Sequence, residues 1–163
     1  MKIYLASSWR NANVIIEHYL PLFRRQDSFT VDCFCDQKGG RTGFNIADEL
    51  TTAGYNLRDV DAISALQHPA VREQFRIAFA EDKKWLDGCE CCVMLMPCGK
   101  SAHLEGGYVK GQGKLLFIYW IVEPEKGEFD NMYQFADGLF RPRELWPLIE
   151  TIQSYEAERR NHS

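Results

Sequence analysis

Residues 91–120 read CCVMLMPCGKSAHLEGGYVKGQGKLLFIYW, and this stretch decides the fold. Cys91 to Met96 carries no charged side chain, and neither does Leu115 to Val122. Runs this short and this apolar read as strands buried on both faces. Between them, Gly99 permits a tight turn, and Ala102 to Gly111 reads as a helix with Ser101 as its N-cap. Strand, helix and strand in succession make a crossover unit, and parallel strands require such connections.

The same alternation extends to both sides. Ile3 to Ala6 is a short apolar strand. Ser7 to Asn11 follows as a capping turn, and Asn13 to Arg25 places Val14, Ile15, Tyr19, Leu20, Leu22 and Phe23 mostly at helical spacing. Pro21 lies inside that segment, where it should kink the helix. Phe29 to Phe34 reads as a second strand. The glycine-rich DQKGGRTG, residues 36–43, is a loop by composition, and the chain to about Pro69 is irregular with short helices. Ala70 to Ala80 is helical, with Val71, Phe75, Ala78 and Phe79 on one face, and Glu81 to Leu86 continues or restarts it. After the strand at Leu115, Glu125 to Asn131 is a polar loop. Asn131 to Ala136 is a short helix, Arg143 to Arg159 a closing one, and residues 155–163 form a tail expected to fray. The expectation is one α/β domain over residues 1–163. It is a flavodoxin-like or Rossmann-like doubly wound sheet, mainly parallel, of about four to five strands.

Bulk composition narrows the function. The 163 residues are 45% hydrophobic and 26% charged, ordinary for a globular domain. A net charge of −4 leaves no basic footprint for a nucleic acid polymer or an anionic membrane surface. No apolar stretch is long enough to span a bilayer, and the opening MKIYLASSWRN is too short in its apolar run for a secretory leader. The chain therefore reads as cytoplasmic. Its six cysteines read as thiols rather than a disulfide framework. Their spacings, Cys33-x-Cys35 and Cys89-x-Cys91-Cys92, do not match zinc knuckles, so no metal is expected.

In doubly wound sheets, ligands bind beyond the carboxyl ends of the strands. Three stretches should converge there: Ser7 to Asn11, Asp36 to Asn45, and Pro97 to Glu105. Ser7, Ser8 and Arg10 suit a phosphate or sugar. Trp9 and Tyr4 offer rings for a base, or simply pack. Gly43 and Phe44 belong to a loop that either covers a ligand or is ordinary. Gly99 and Ser101 open a helix whose first-turn N–H groups form an anion site. Gly106 and Gly107 cost about 1 kcal/mol each in a helix relative to alanine, which implies a close neighbour, either a strand or a ligand. Glu105 then has two readings, a carboxylate complementing the helix dipole or a functional group. Asp82 likewise is a solvated helix residue or the partner of Glu105, one carboxyl protonated and the other ionised. His103 is a surface residue or a proton carrier.

The succession IYLASSW, EDKKWLDGCECCVMLMP, HLEGGYVKGQGKLLFIY and NMYQFAD resembles the nucleoside 2-deoxyribosyltransferase superfamily, which includes the 2′-deoxynucleoside 5′-phosphate N-hydrolases. The likeness covers most of the chain outside residues 36–69. Ser8-x-Arg10 is similar to the hydrolase branch. The resemblance implies Glu105 as nucleophile and Asp82 as the group that recognises or protonates the base. It also implies that Asn131 and Met132 reach a neighbouring subunit's site in a homo-oligomer, a dimer or higher. It implies a nucleoside or nucleotide substrate and no cofactor. Transferases carry an additional acid shortly before the nucleophile. Residues 99–103 hold none, and Ser101 and His103 stand there instead. The expected reaction is cleavage or transfer at an N-glycosidic bond. The alternatives are a non-catalytic nucleotide-binding module, or a hydrolase of NAD-like or cyclic nucleotides.

Overall fold

In the computed structural model, which describes residues 1–36, 51, 54, 56, 59, 61–127 and 130–161, the two apolar runs are adjacent parallel strands. The chain divides into two units, Met1–Cys35 with Trp85–Ser163, and Asp36–Lys84.

The first unit is built on a five-stranded sheet in the order β2-β1-β3-β4-β5, parallel throughout. The strands are β1 (Lys2–Ala6), β2 (Thr30–Cys33), β3 (Cys91–Met96), β4 (Leu115–Trp120) and β5 (Gly138–Phe140). This is the doubly wound α/β arrangement with flavodoxin-like strand order. All six residues of β3 are buried, because helices cover both faces. Alternation along β4 sorts the layers. Phe117 and Tyr119 face one side, where they meet Tyr155 and Tyr19 at 5.9 and 5.7 Å between ring centres. Leu116 faces the other, against Gly106.

The first helical segment is not uniform. After a 3-10 turn at Trp9–Asn11, α1 (Ala12–Val14) widens into a π stretch at Ile15–Tyr19 and tightens again into α2 (Leu20–Arg24). Pro21 stands at the start of α2. It has no N–H to give, and the Leu20 N–H just before it reaches back five residues to Ile15 O. The kink expected at Pro21 is thus a local change of helical pitch.

The strand at the carboxyl side, β5, is not among the elements placed from the sequence. It has only three residues and begins with a glycine. That glycine is needed: a Cβ there would lie 2.8 Å from Phe140 and 3.2 Å from Phe117. Asp137 sets the strand's start. Its backbone N–H donates to Leu116 O, its carboxylate accepts from Leu116 N, and Lys110 binds the same carboxylate.

The closing helix spans Leu145–Asn161 and passes well beyond the point where fraying is expected. Tyr155 packs on Phe117, and Glu156 accepts from the amino group of Met1 at 2.6 Å and from Arg160 at 2.7 Å. Arg159 pairs with Glu90 at 2.9 Å. These contacts hold the tail as helix.

In the second unit, α3 (Ala62–Gln67) starts at Asp61, whose carboxylate accepts from Ile63 N and Ser64 N. The Ser64 hydroxyl and these amides hold the Asp61 carboxyl below its ordinary range. His68 is extended because Pro69 follows, so a new helix begins there. That helix, α4 (Pro69–Gly88), is continuous through residues 70–86, where the sequence allowed a restart, and it carries the chain into the first unit. Among the described residues no helix is long and apolar enough to cross a membrane.

Candidate functional site

The strand order reverses at β1, which lies between β2 and β3. Chain leaving β1 and chain leaving β3 turn to opposite faces, and it is between such carboxyl ends that doubly wound sheets form a crevice. Both walls of that crevice belong to the first unit.

The β1 wall is held to β3 by side chains. Ser7 is buried, and its Oγ donates to Leu95 O at 2.6 Å. Asn11 Nδ2 donates to Ser7 Oγ at 3.0 Å and to Pro97 O at 2.7 Å. Ser7 therefore braces the turn. Ser8 caps the 3-10 turn, and Arg10 folds back on it, with Arg10 N 3.3 Å and Arg10 Nε 3.5 Å from Ser8 Oγ. Trp9 is half exposed and meets Phe34 edge-on at 5.3 Å. Tyr4 is fully buried within β1 and lies 6.4 Å from Trp85 between ring centres.

The β3 wall is the turn at residues 97–99 and the helix α5 (Lys100–Gly111). The helix begins two residues earlier than its sequence suggests. Gly99, extended at φ −87 and ψ 178, is the N-cap, which puts Ser101 inside the first turn, exposed and not capping. A glycine has no side chain to spend on the first-turn N–H groups, so they point outward from this end of the helix.

His103 is fixed by the same turn. Its Nδ1 lies 2.9 Å from Gly99 O, and a carbonyl only accepts, so Nδ1 is the donor and Nε2 is the ring nitrogen left to face other groups. The ring stacks on Tyr133 at 6.2 Å and 23°, and Trp120 meets Tyr133 edge-on at 5.7 Å. Cys98 Sγ is 3.6 Å from His103 Nδ1 and donates to Met96 Sδ at 3.1 Å.

Glu105 is half-buried on α5, on the opposite flank of the helix from His103. Its charge is felt by two thiols. Burial pushes Cys98 up to about 12, with Glu105 adding to the rise, and Cys92 is raised well above its ordinary value by burial and, secondarily, by neighbouring charges that include Glu105. The adjacent glycines have separate explanations. A Cβ on Gly106 would lie 3.2 Å from Leu116 Cδ1 and 3.7 Å from Met94 Sδ, so this residue lets α5 approach the sheet. Gly107 faces open space.

The remaining candidates lie elsewhere. Asn131 and Met132 are exposed in a 3-10 turn, Asn131–Phe135, capped by Asp130. Asp82 is half-buried on α4, in the second unit. Gly43 and Phe44, with the rest of residues 37–45, lie outside the described residues. Asn11 and Tyr133 join the crevice without having been singled out. Asn11 was legible as part of the capping turn, whereas Tyr133 is placed by tertiary packing alone. Five of the six cysteines are buried free thiols, and among the described residues no group of three or more His, Cys, Asp or Glu side chains is arranged to hold a metal.

The strand order defines a flavodoxin-like α/β fold with its switch point between β1 and β3. No family model and no curated protein matches the chain.

Proposed function

We propose that this protein cleaves or transfers the N-glycosidic bond of a deoxynucleoside or its 5′-monophosphate, with Glu105 as nucleophile. The observation that carries this reading is the position of Glu105: a half-buried carboxylate on the helix that opens from the carboxyl end of β3, close enough to influence the Cys98 thiol. In the proposed reaction the Glu105 carboxylate attacks the anomeric carbon as the bond to the base breaks, leaving a glycosyl ester. The departing base takes a proton from an acid, for which Asp82, as the resemblance implies, and His103, as an imidazolium donating from Nε2, are the candidates. Water or a second base then displaces Glu105. The uncapped first turn of α5 and Arg10 on the facing wall suit a 5′-phosphate. Assembly into a homo-oligomer in which Asn131 and Met132 reach a neighbour's site belongs to the same reading. Met132 is 56% exposed, which leaves it accessible for that role.

The test is incubation with deoxynucleoside monophosphates while free base is followed by chromatography. The wild-type chain should release base, and Glu105→Ala should lower the rate by at least about a thousandfold. Undiminished release from Glu105→Ala removes it as nucleophile. Adding a second base separates the two chemistries, because only transfer yields the exchanged nucleoside.

A further inference from the structure

A cavity of about 520 Å³ opens at the carboxyl ends of β4 and β5. Small-molecule sites commonly have such volumes, with apolar walls and a few convergent polar groups. Three rings line it: Trp120 at the end of β4, Phe140 at the end of β5, and Tyr133 from the 3-10 turn. Trp120 and Tyr133 lie 5.7 Å apart between ring centres at 81°, so together they form a corner. His103 stacks on Tyr133, and Phe117 meets Phe140 at 6.1 Å and 63°, so each of these rings has a neighbour that orients it.

The charged groups that line the cavity are two carboxylates, Asp130 and Glu144, and one guanidinium, Arg141. Arg141 is already paired, with Glu123 at 3.3 Å. The two carboxylates are only partly committed. Asp130 Oδ1 accepts from Met132 N at 2.9 Å, and Glu144 Oε2 accepts from Arg141 N at 2.7 Å. Neither has an ion-pair partner among the described residues, which leaves negative charge beside the rings.

Ring faces and carboxylates both attract positive charge. They do not suit every cation equally. A primary ammonium or a metal ion would give up hydrogen bonds to water against walls that are mostly ring and aliphatic carbon. A quaternary ammonium has no N–H to satisfy, and its methyl groups gain apolar contact from Leu139 and Pro124, which also line the cavity.

We propose that this cavity binds a small quaternary ammonium compound, its methylated nitrogen among Trp120, Tyr133 and Phe140 and its charge balanced by Asp130 and Glu144. The site does not depend on the reaction proposed for Glu105, because such a ligand has neither a base nor a glycosidic bond.

The experiment is titration of the full chain with choline, followed by calorimetry and ligand-observed NMR. A parallel titration uses the neutral analogue in which a tert-butyl group replaces the trimethylammonium. Choline should bind saturably, and the neutral analogue at least about tenfold more weakly. Asp130→Asn keeps an acceptor for Met132 N but loses the charge, and should weaken choline by roughly threefold. Leu139→Arg should abolish binding, because Leu139 lines the cavity and is 52% exposed, so a long cationic chain fills the space without entering the core. Thermal unfolding checks that both variants fold, and Asp130→Asn, at an exposed position, keeps the test alive if Leu139→Arg does not. Glu105→Ala should bind choline as the wild type does. The proposal is overturned by absence of saturable choline binding, by equal binding of the neutral analogue, or by binding unchanged in Leu139→Arg or Asp130→Asn. Binding lost in Glu105→Ala also overturns it, since that would put the cation beside Glu105 instead. Choline binding and base release are separate readouts, so either reading can fail while the other stands.

Discussion

The two ends of the parallel sheet use similar residues to opposite ends. At the amino ends of β3 and β4 lies a cavity of about 400 Å³ lined by Glu90, Lys114 and Arg159 among others. Its charges are already matched. Lys114 Nζ donates to Leu86 O at 2.7 Å and Asp87 O at 2.8 Å, and Arg159 pairs with Glu90, whose other oxygen accepts from Lys2 N. At the carboxyl ends the helix α5 starts on a glycine without a side-chain cap, Gln134 has an uncommitted amide, and Trp9 stands half exposed. Space alone does not make a ligand site. The uncommitted groups named here lie at the end where doubly wound sheets bind ligands.

If that division holds, damage at the amino end should cost stability and damage at the carboxyl end should cost function. The largest stability effect is expected at Glu156. Burial alone would raise its carboxyl, but the Met1 amino group and Arg160 outweigh burial and hold it below its ordinary value. Glu156→Gln should cost about 2–3 kcal/mol at neutral pH, read from urea unfolding, because it breaks a largely buried pair while keeping one acceptor. A depressed carboxyl stabilises the fold above its ordinary value of 4.5, and that stabilisation drains away as pH falls through the acid range below it. The gap between wild type and Glu156→Gln should therefore close in acid. A gap that persists unchanged there would mean that the charge of Glu156 is not what matters.

Gly106→Val comes next, at about 1–3 kcal/mol, since even its Cβ would press on Leu116. Ser7→Ala should cost about 1–2 kcal/mol, because Leu95 O and Asn11 Nδ2 each lose a partner near the buried floor of the crevice. This is the one carboxyl-end change expected to show in unfolding curves. A silent Ser7→Ala would break the view of it as a brace and return it to the ligand. The smallest effect belongs to Glu105→Gln. It should leave stability within about 0.5 kcal/mol. It should also let the Cys98 thiol ionise somewhat below 12, seen as faster alkylation at alkaline pH. An unchanged alkylation profile would separate Glu105 from Cys98.

The legible parts of this fold were those whose physics is local. Cys91 to Met96 is a strand because six apolar residues must be buried on both faces, and its bounds can be read directly. Three features were hidden for different reasons. The start of β5 depends on Asp137 meeting Leu116, a contact across the sheet. The cap of α5 falls on Gly99 because backbone geometry outweighed the preference of Ser101 for that place. The tail past Tyr155 looks like a polar run that should fray, yet Glu156, Arg159 and Arg160 find partners. Sequence order put Ser7 and Arg10 after β1 and Gly99, His103 and Glu105 after β3, while the ring of Tyr133 beside His103 could come only from tertiary packing.

The Asp137 contacts have a mechanical consequence. Lys110, in the last turn of α5, is tied to the carboxylate that also holds the β4 backbone, and Gly106 rests on Leu116 midway along the helix. At 1.5 Å per residue α5 is about 18 Å long. Its far end is anchored to the sheet, whereas its near end hangs on the short turn at residues 97–99. A tilt about the anchored end would displace Gly99 and His103 most and Gly106 less. The helix can act as a lever with its fulcrum in the sheet, and Glu105, midway along it, would move less than Gly99.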